Sequence, residues 1–265
     1  MLISPIMKIL AFFAHPDDET MLSGGALAIL AQSGIEVHYL IATRGEGGER
    51  GEPPQCEPEQ LGELREREVA CAVENLGGSS LANLGYPDPV VGPSQVLYPF
   101  TTDLARLAAQ VTGQVKRVQA DVLISHGTNG EYGHPAHLLC NKAARLAAAS
   151  HKGHPFWLYT VAAAYPGHPK PRILNRSDPA HLVINVRTVL YRKIQAALCH
   201  KTQQALFIRR ASIEAGRRLK VPEVILKEES LHRAYPAKGG AGGDPLEEFL
   251  SAWAIRQPIN FQSRS

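Results

Sequence analysis

Two short segments of the chain concentrate histidine and carboxylate side chains. His15, Asp17 and Asp18 lie in the segment His-Pro-Asp-Asp-Glu at residues 15–19, and His134 and His137 lie much later in the chain. Imidazole and carboxylate groups bind zinc, and a catalytic zinc site has three protein ligands and one open position for water. His15 and Asp18 with either His134 or His137 would supply those three ligands. His137 would be held more rigidly, because it lies one turn inside a predicted helix.

The alternative interpretation of residues 15–19 is an acidic cap at the start of a helix, for which one aspartate would suffice. The elements around the two segments favour the metal site. The apolar run Lys8–Ala14 predicts a buried strand that ends at the first segment, and Glu19–Gln32 has the pattern of a helix. Ala120–Ser125 predicts a second buried strand, which ends shortly before the other segment. Ligands bind at the carboxyl edge of such sheets, so the two segments are expected to meet there.

The remaining elements alternate between strand and helix. This alternation predicts an α/β fold, with a Rossmann-like, doubly wound, mostly parallel sheet and helices on both faces. We expect a single domain over residues 1–265, with the motifs in a core at about 8–150. Residues 151–265 should complete the sheet and carry a flexible glycine-rich loop at 236–244. Further strands are predicted at Glu36–Thr43, Ser80–Leu84, Phe156–Ala164 and His181–Val186, and helices at Gln60–Leu76, Thr102–Val118, Pro135–Ser150, Val189–Phe207 and Pro245–Ala254.

The composition excludes several classes of protein. The chain has 265 residues, a formal net charge of +3 and scattered basic residues, which argues against a nucleic-acid partner. It has no apolar run long enough to span a membrane and no signal-peptide pattern, so a cytoplasmic location is expected. The four cysteines form no C-x-x-C pair, which predicts reduced thiols rather than a disulfide framework or a structural zinc site. The sequence leaves homo-oligomerisation open.

The two segments together resemble a known family. His15-Pro16-Asp17-Asp18-Glu19 and Tyr132-Gly133-His134-Pro135-x-His137 are similar to the motifs of the LmbE-like, or PIG-L, family of zinc-dependent N-acetylglucosaminyl deacetylases and related amidases. The similarity is good over roughly residues 8–140. Further matching segments are Thr43–Glu46, Glu63–Glu68 and Leu84–Asp88, and a weaker similarity includes Lys193, Ala197, His200 and Gln203.

The resemblance implies that His15, Asp18 and His137 bind zinc, although Fe(II) uses similar ligands and could replace zinc in the cell. It also implies that Asp17 is the general base for attack of metal-bound water on the amide of an N-acetylglucosamine-type substrate. Ala136 departs from the family pattern, which commonly has aspartate at this position. Because that position is not a ligand, the metal site should remain intact, but a hydrogen bond that orients a histidine could be lost.

Further roles also follow from the resemblance. His134 would act as an electrophile or proton donor, and Tyr132 would help to polarise the substrate carbonyl. Glu46, Arg65 and Asp88 would contact the sugar or its linked group. From the sequence alone, Arg65 could instead form an ion pair within its own helix.

Two other functions remain open at this point. An amidase that acts on a sugar-linked thiol conjugate could use the same site, so only the substrates distinguish the two enzymes. A non-catalytic sugar- or metal-binding module would not need Asp17 beside the ligands. Nucleotide binding is disfavoured, because the first strand-to-helix turn lacks G-x-G-x-x-G.

Overall fold

The computed structural model of the protein describes residues 7–237 and 245–256. The strands are β1 (Lys8–Phe13), β2 (Glu36–Thr43), β3 (Ser80–Tyr86), β4 (Val122–Ser125), β5 (Trp157–Val161), β6 (Ala163–Ala164), β7 (Asn175–Pro179), β8 (Leu182–Asn185), β9 (Glu228–Tyr235) and β10 (Ala254–Arg256). The helices are α1 (Asp18–Gln32), α2 (Leu61–Leu76), α3 (Leu104–Val118), α4 (Gly130–Gly133), α5 (Pro135–Ser150), α6 (Leu190–Cys199), α7 (Gln204–Ala215), α8 (Val221–Val224) and α9 (Pro245–Leu250).

Eight strands form the main sheet in the order β10-β8-β9-β5-β4-β1-β2-β3. Strands β3, β2, β1, β4 and β5 are parallel, whereas β9 pairs antiparallel with both β5 and β8. The chain runs from β1 outward to β2 and β3, and then returns to place β4 on the other side of β1. The carboxyl ends of β1 and β4 therefore border a topological switch point, where open α/β sheets bind ligands.

Helices cover both faces of the sheet, as predicted. The buried side chains of α1, α2 and α9 pack on one face, and those of α3 and α5 pack on the other. Strand β1 is buried from Ile9 to Phe13, which explains its nearly continuous apolar sequence. A smaller apolar cluster joins α6, α7 and α8 at the side of the domain. None of the helices within 7–237 and 245–256 is long and apolar enough to cross a membrane.

The strands and helices up to residue 150 agree with the sequence predictions to within a few residues. Differences concentrate in the last third of the chain. The predicted strand Phe156–Ala164 is interrupted at Ala162, which has a φ of 50°, and β6 instead pairs with β7 in a separate small sheet. Strand β9 was not predicted, although it occupies the sheet between β5 and β8.

The predicted helix Val189–Phe207 is two helices, α6 and α7, separated by a 3-10 turn at Lys201–Gln203. The last predicted helix ends at Leu250, and β10 follows it as an edge strand. Most of the predicted flexible loop lies outside the described residues, since 238–244 are not among them. The expectation of one domain over the whole chain stays a prediction.

The prediction of four reduced thiols is wrong. Cys71 of α2 and Cys199 of α6 form a disulfide, whereas Cys56 and Cys140 are free. The two bonded residues are 128 positions apart, so their spacing carries no local signal of pairing. Because disulfides persist mainly in oxidising compartments, the cytoplasmic location also stays a prediction.

Candidate metal centre and active site

Two loops at the carboxyl ends of β1 and β4 bring the predicted residues together. The first loop carries His15 and Asp17, and Asp18 begins α1; His134 precedes α5, and His137 lies in its first turn. Nδ1 of His15 lies 3.2 Å from Oδ2 of Asp18. Nε2 of His137 lies 3.4 Å from the other oxygen of Asp18. The two segments that were recognised in the sequence therefore form one cluster.

His137 is held in the orientation and tautomer of a metal ligand. Its Nδ1 donates a hydrogen bond to Oε2 of Glu131 at 2.6 Å, so that in the neutral ring the lone pair is on Nε2. This Nε2 is buried and has no hydrogen-bond partner within the described parts of the chain. A histidine that donates from one nitrogen to a carboxylate while the other nitrogen is free is the usual arrangement around protein-bound metals.

Two neighbouring histidines are bonded in ways that disfavour metal binding. Nε2 of His126 accepts a hydrogen bond from the Ala14 N–H at 3.0 Å, and its Nδ1 donates to Glu131 at 3.0 Å. Nδ1 of His134 accepts from the Ala136 N–H at 3.2 Å, which places the proton of the neutral ring on Nε2. Burial and the nearby histidines lower the pKa of His134 to about 3, so the ring is neutral.

These bonds decide which side chains fit a metal ion. Two groups of three side chains each place ligand atoms within 4.8 Å of one another: one contains His15 and His134, the other Asp18 and His126, and both contain His137. Without His126 and His134, the remaining members of the two groups are His15, Asp18 and His137, which no single group contains together. Zinc bonds of 2.0–2.2 Å in a tetrahedron place neighbouring ligand atoms roughly 3.3–3.6 Å apart. The two distances to Asp18 are close to this value, and the residues present therefore fit a divalent cation.

Asp88 lies against His15 on the side away from Asp18. Its Oδ1 is 3.3 Å from Nε2 of His15, so it can orient this ring as Glu131 orients His137. Burial alone would lower the pKa of His15, but the two aspartates outweigh it and raise that pKa to about 9. The Asp88 N–H in turn donates to Oε2 of Glu46 at 3.0 Å.

Asp17 has a strained backbone and a held carboxylate. Its φ of 120° is rare for a residue with a side chain, and such strain concentrates at functional sites. The Asp17 N–H donates to Oε2 of Glu19 at 2.9 Å, and the other oxygen of Glu19 lies 2.9 Å from Nε2 of His200. Burial raises the pKa of the Asp17 carboxyl to about 6, although the charge of Arg65 opposes this rise.

Arg65 is buried beneath the first loop. Its guanidinium donates to the carbonyl of Gly45 at 2.8 Å and to the carbonyl of Pro16, and it lies 3.2 Å from Oδ2 of Asp17. A Cβ atom at Gly45 would lie 2.4 Å from the guanidinium, and the φ of +77° there also favours glycine. Arg65 therefore fixes the position of Asp17 instead of forming an ion pair within its own helix.

A polar cavity of about 110 Å³ opens above these groups. Tyr132, with 60% of its surface exposed, stands at its edge. Glu46 is not among the residues that line this cavity, but its carboxylate accepts a hydrogen bond from the backbone N–H of Asp88, which does line it. The side chains that line this polar cavity include His15, Asp17, Asp18, Arg65, Asp88, Tyr98, Tyr132, His134, Gln203 and Leu206.

Sequence reasoning assigned no role to His126, Glu131 or Glu19. A carboxylate one residue before the second motif is a signal that could have identified Glu131, but the partner of Glu19 is distant in the sequence. The side chains of His200 and Gln203, which belong to the weaker family similarity, bond other residues. The His200 ring bonds Glu19, and the Gln203 amide donates to the carbonyl of Glu49 at 2.6 Å and to a threonine hydroxyl.

The fold and the site define an α/β protein with a cluster of histidine and aspartate side chains at a sheet switch point. The family model described as "PIG-L: GlcNAc-PI de-N-acetylase" matches residues 10–148, which is more than half of the chain. The chain belongs to this family. Its sequence is 30% identical to 1D-myo-inositol 2-acetamido-2-deoxy-alpha-D-glucopyranoside deacetylase of Rhodococcus erythropolis, over 92% of this chain and 96% of that protein. The protein with the same description in Rhodococcus jostii is 27% identical, over 92% and 97%.

Solved structures share the fold at low sequence identity. N,N'-diacetylchitobiose deacetylase from Pyrococcus horikoshii has a TM-score of 0.62 and 16% identity, over 89% of this chain and 88% of that one. The 4-carboxy-2-hydroxymuconate hydratase from Pseudomonas putida has a TM-score of 0.62 and 21% identity, over 90% and 100%. Since a hydratase and a deacetylase share it, the fold alone does not decide the chemistry.

Proposed function

We propose that this protein is a metal-dependent N-deacetylase that hydrolyses the acetamide group of an N-acetylglucosamine-type sugar. Its family and its full-length deacetylase relatives support this reaction class. The observation that carries the proposal is the buried, unpartnered Nε2 of His137, which Glu131 orients toward Asp18 beside the polar cavity.

His15, Asp18 and His137 are the proposed ligands, and zinc is the proposed ion. When bound in such a site, zinc lowers the pKa of its water toward about 7 and polarises an amide carbonyl. Two histidines and one carboxylate are also the ligands of non-haem Fe(II), so iron is the alternative ion.

Asp17 is the proposed general base. Its carboxylate lies beside the ligand cluster and accepts from the Arg65 guanidinium, and its backbone N–H donates to Glu19. With its pKa raised to about 6 by burial, the carboxylate is mostly ionised at neutral pH and is still basic enough to accept a proton from the attacking water. It can then return this proton to the amine that leaves.

His134 and Tyr132 are the proposed donors to the substrate carbonyl. Because Nδ1 of His134 accepts a backbone N–H, its Nε2–H is available to donate from the wall of the polar cavity. This N–H can donate a hydrogen bond to the negative charge that develops on the carbonyl oxygen. The Tyr132 hydroxyl would add a second donor from the cavity edge.

The polar cavity is the proposed site for the sugar. Arg65 and Asp88 reach its lining, and Glu46 supports it by fixing the backbone of Asp88. The relatives are described as deacetylases of an N-acetylglucosaminyl inositol, and this is the substrate class we propose here. An amidase acting on a sugar-linked thiol conjugate would use the same site and is separated only by comparing substrates.

The test measures bound metal and amine release in the same preparations. The substrates are the N-acetylglucosaminyl inositol, N,N'-diacetylchitobiose and a thiol conjugate of glucosaminyl inositol. We expect Asp17→Asn to retain the metal and to lose about 100-fold or more in kcat. His137→Ala should lose both metal and activity, and His154→Ala, far from the site, should lose neither. Full activity of Asp17→Asn, or a full equivalent of metal in His137→Ala, would contradict the proposal.

A further inference from the structure

A second cavity, of about 180 Å³, adjoins the polar cavity. The two cavities share Asp17, Asp18, Tyr132 and Leu206, and apart from these their linings are different. The proposed general base and one ligand are thus common to both cavities. An amide bond that reacts beside Asp17 has access to a separate space on each side.

The second cavity is walled mainly by apolar side chains. Met21 and Leu22 lie near the N-terminus of α1, and Phe207 lies in α7. Ile225 and Leu226 follow α8. The polar cavity has fewer apolar lining side chains, among them Val91 and Leu97, and it adds Asp88 and Gln203. The second cavity therefore suits a hydrocarbon group better than a sugar.

The cations that border this cavity already have partners. Lys193 is fully buried and lies 2.6 Å from Oε1 of Glu229. The Lys170 amino group donates to the carbonyl of Val224 at 3.1 Å. Arg172 also lines this cavity, and its Nη1 lies 3.9 Å from Oε1 of Glu214. Lys193 and Arg172 thus have carboxylate partners within the protein, and Lys170 has a backbone acceptor.

We propose that this second cavity, named here the acyl cavity, holds the acyl part of the substrate and that the enzyme removes unbranched acyl chains of about four to six carbons better than acetyl. This inference rests on the proposed function. The two substituents of an amide extend in different directions from the C–N bond. If the polar cavity holds the hydroxylated amine part, the acyl carbon chain must leave by the other side, where Met21 and Leu226 lie.

The reaction is hydrolysis with a longer acyl group. The oxygen of water bonds to the carbonyl carbon, the C–N bond breaks, and one water proton passes to the leaving nitrogen. The second water proton leaves the carboxylic acid and protonates the amine, so a carboxylate and an ammonium group are released. No oxidant, reductant or second substrate is needed. Asp17, which borders both cavities, is correctly placed to move that proton.

The size of the acyl cavity sets the expected chain length. An apolar cavity of about 150 Å³ is large enough for a benzene molecule, which has six carbons. The acyl cavity, at about 180 Å³, exceeds this size, whereas the methyl of an acetyl group would leave most of it unfilled. Burial of one methylene raises kcat/KM by up to about fourfold. From N-acetyl to N-hexanoyl we therefore expect a rise of about tenfold or more.

The experiment compares N-acetyl, N-butanoyl and N-hexanoyl glucosaminyl inositol as substrates of the metal-loaded enzyme. Leu226→Trp should fill the cavity and lower kcat/KM for the hexanoyl substrate about tenfold more than for the acetyl substrate. Phe207→Ala should enlarge the cavity and shift the preference toward octanoyl. Ile213→Trp, at an exposed position of the same helix as Phe207, is the matched control and should leave the chain-length profile as it is.

Calorimetric titration with the carboxylate products gives a second measurement that needs no turnover. Hexanoate should bind the metal-loaded enzyme about tenfold more tightly than acetate, and Leu226→Trp should remove this difference. Efficient hydrolysis of the N-acetyl substrate with weak hydrolysis of the N-butanoyl and N-hexanoyl substrates would overturn the proposal that this cavity holds longer acyl chains. It would leave the proposed function intact. Hydrolysis of none of these amides by the metal-loaded enzyme would overturn both.

Discussion

Replacement of Glu131 by glutamine tests how the candidate metal centre is held. One carboxylate oxygen accepts from the ring N–H groups of His126 and His137, and the other accepts from the Gly127 N–H and the Asn175 amide. All four partners are donors. Whichever way the glutamine amide is turned, its NH₂ group therefore faces two donors and cannot accept from them.

The magnitude follows from these contacts. A buried donor left without an acceptor costs about 1–3 kcal/mol, so two such donors should lower the free energy of unfolding by about 2–6 kcal/mol. If the lost acceptor is the one at His137, the proton of this ring is free to move to Nε2, where it competes with the metal. Loss of a hydrogen bond that orients a metal ligand typically weakens metal binding about 10- to 100-fold.

The assay combines urea unfolding of the metal-free protein with zinc competition against a chromophoric chelator. Glu63→Gln is the matched control, because Glu63 is exposed on α2 and pairs with Arg67, four residues on. Its effect on the free energy of unfolding should stay below about 1 kcal/mol. If Glu131→Gln bound zinc within about threefold of the unchanged protein, Glu131 would not control the His137 ligand and the reasoning would be refuted.

Three further substitutions probe other parts of the structure. Arg65→Lys lacks the planar guanidinium that bonds the carbonyls of Gly45 and Pro16, so kcat should fall about 10-fold or more while bound metal is retained. Loss of metal in this variant would contradict the interpretation that Arg65 acts by positioning Asp17. His134→Phe removes the Nε2–H donor and should lower kcat about 100-fold with a small change in KM, measured by steady-state kinetics. Cys199→Ser opens the α2–α6 disulfide and should lower the free energy of unfolding in urea by about 2–5 kcal/mol, whereas Cys56→Ser, at a free cysteine, should have little effect.

The part of the site that sequence could predict depends on local pattern. Lys8–Ala14 and Ala120–Ser125 are apolar runs that end at motif residues, and their parallel arrangement alone implies that the motifs meet. The tautomers that select the ligands could not be predicted. Nε2 of His126 must be the unprotonated nitrogen, because it accepts a hydrogen bond from the backbone N–H of Ala14. Ala14 is distant in the chain, and it lies beside His126 because β1 pairs with β4.

Strand β9 escaped prediction for a related reason. Its sequence, Glu-Glu-Ser-Leu-His-Arg-Ala-Tyr, is too polar to indicate a strand at the interior of a sheet. Glu229 is nevertheless buried there, because Lys193 of α6 and backbone N–H groups of α1 satisfy its carboxylate. No local pattern shows that two distant helices will supply partners for one carboxylate.

That same contact links the last third of the chain to the chemistry. Glu229 accepts hydrogen bonds from the N–H groups of Gly25 and Ala26 at 2.8 and 2.7 Å, so β9 holds the helix that begins with the proposed ligand Asp18. The same helix presents Met21 to the acyl cavity. The C-terminal elements therefore act both on the position of a ligand and on the space beside it. Changes there can alter which acyl group is accepted while every residue of the two motifs stays the same.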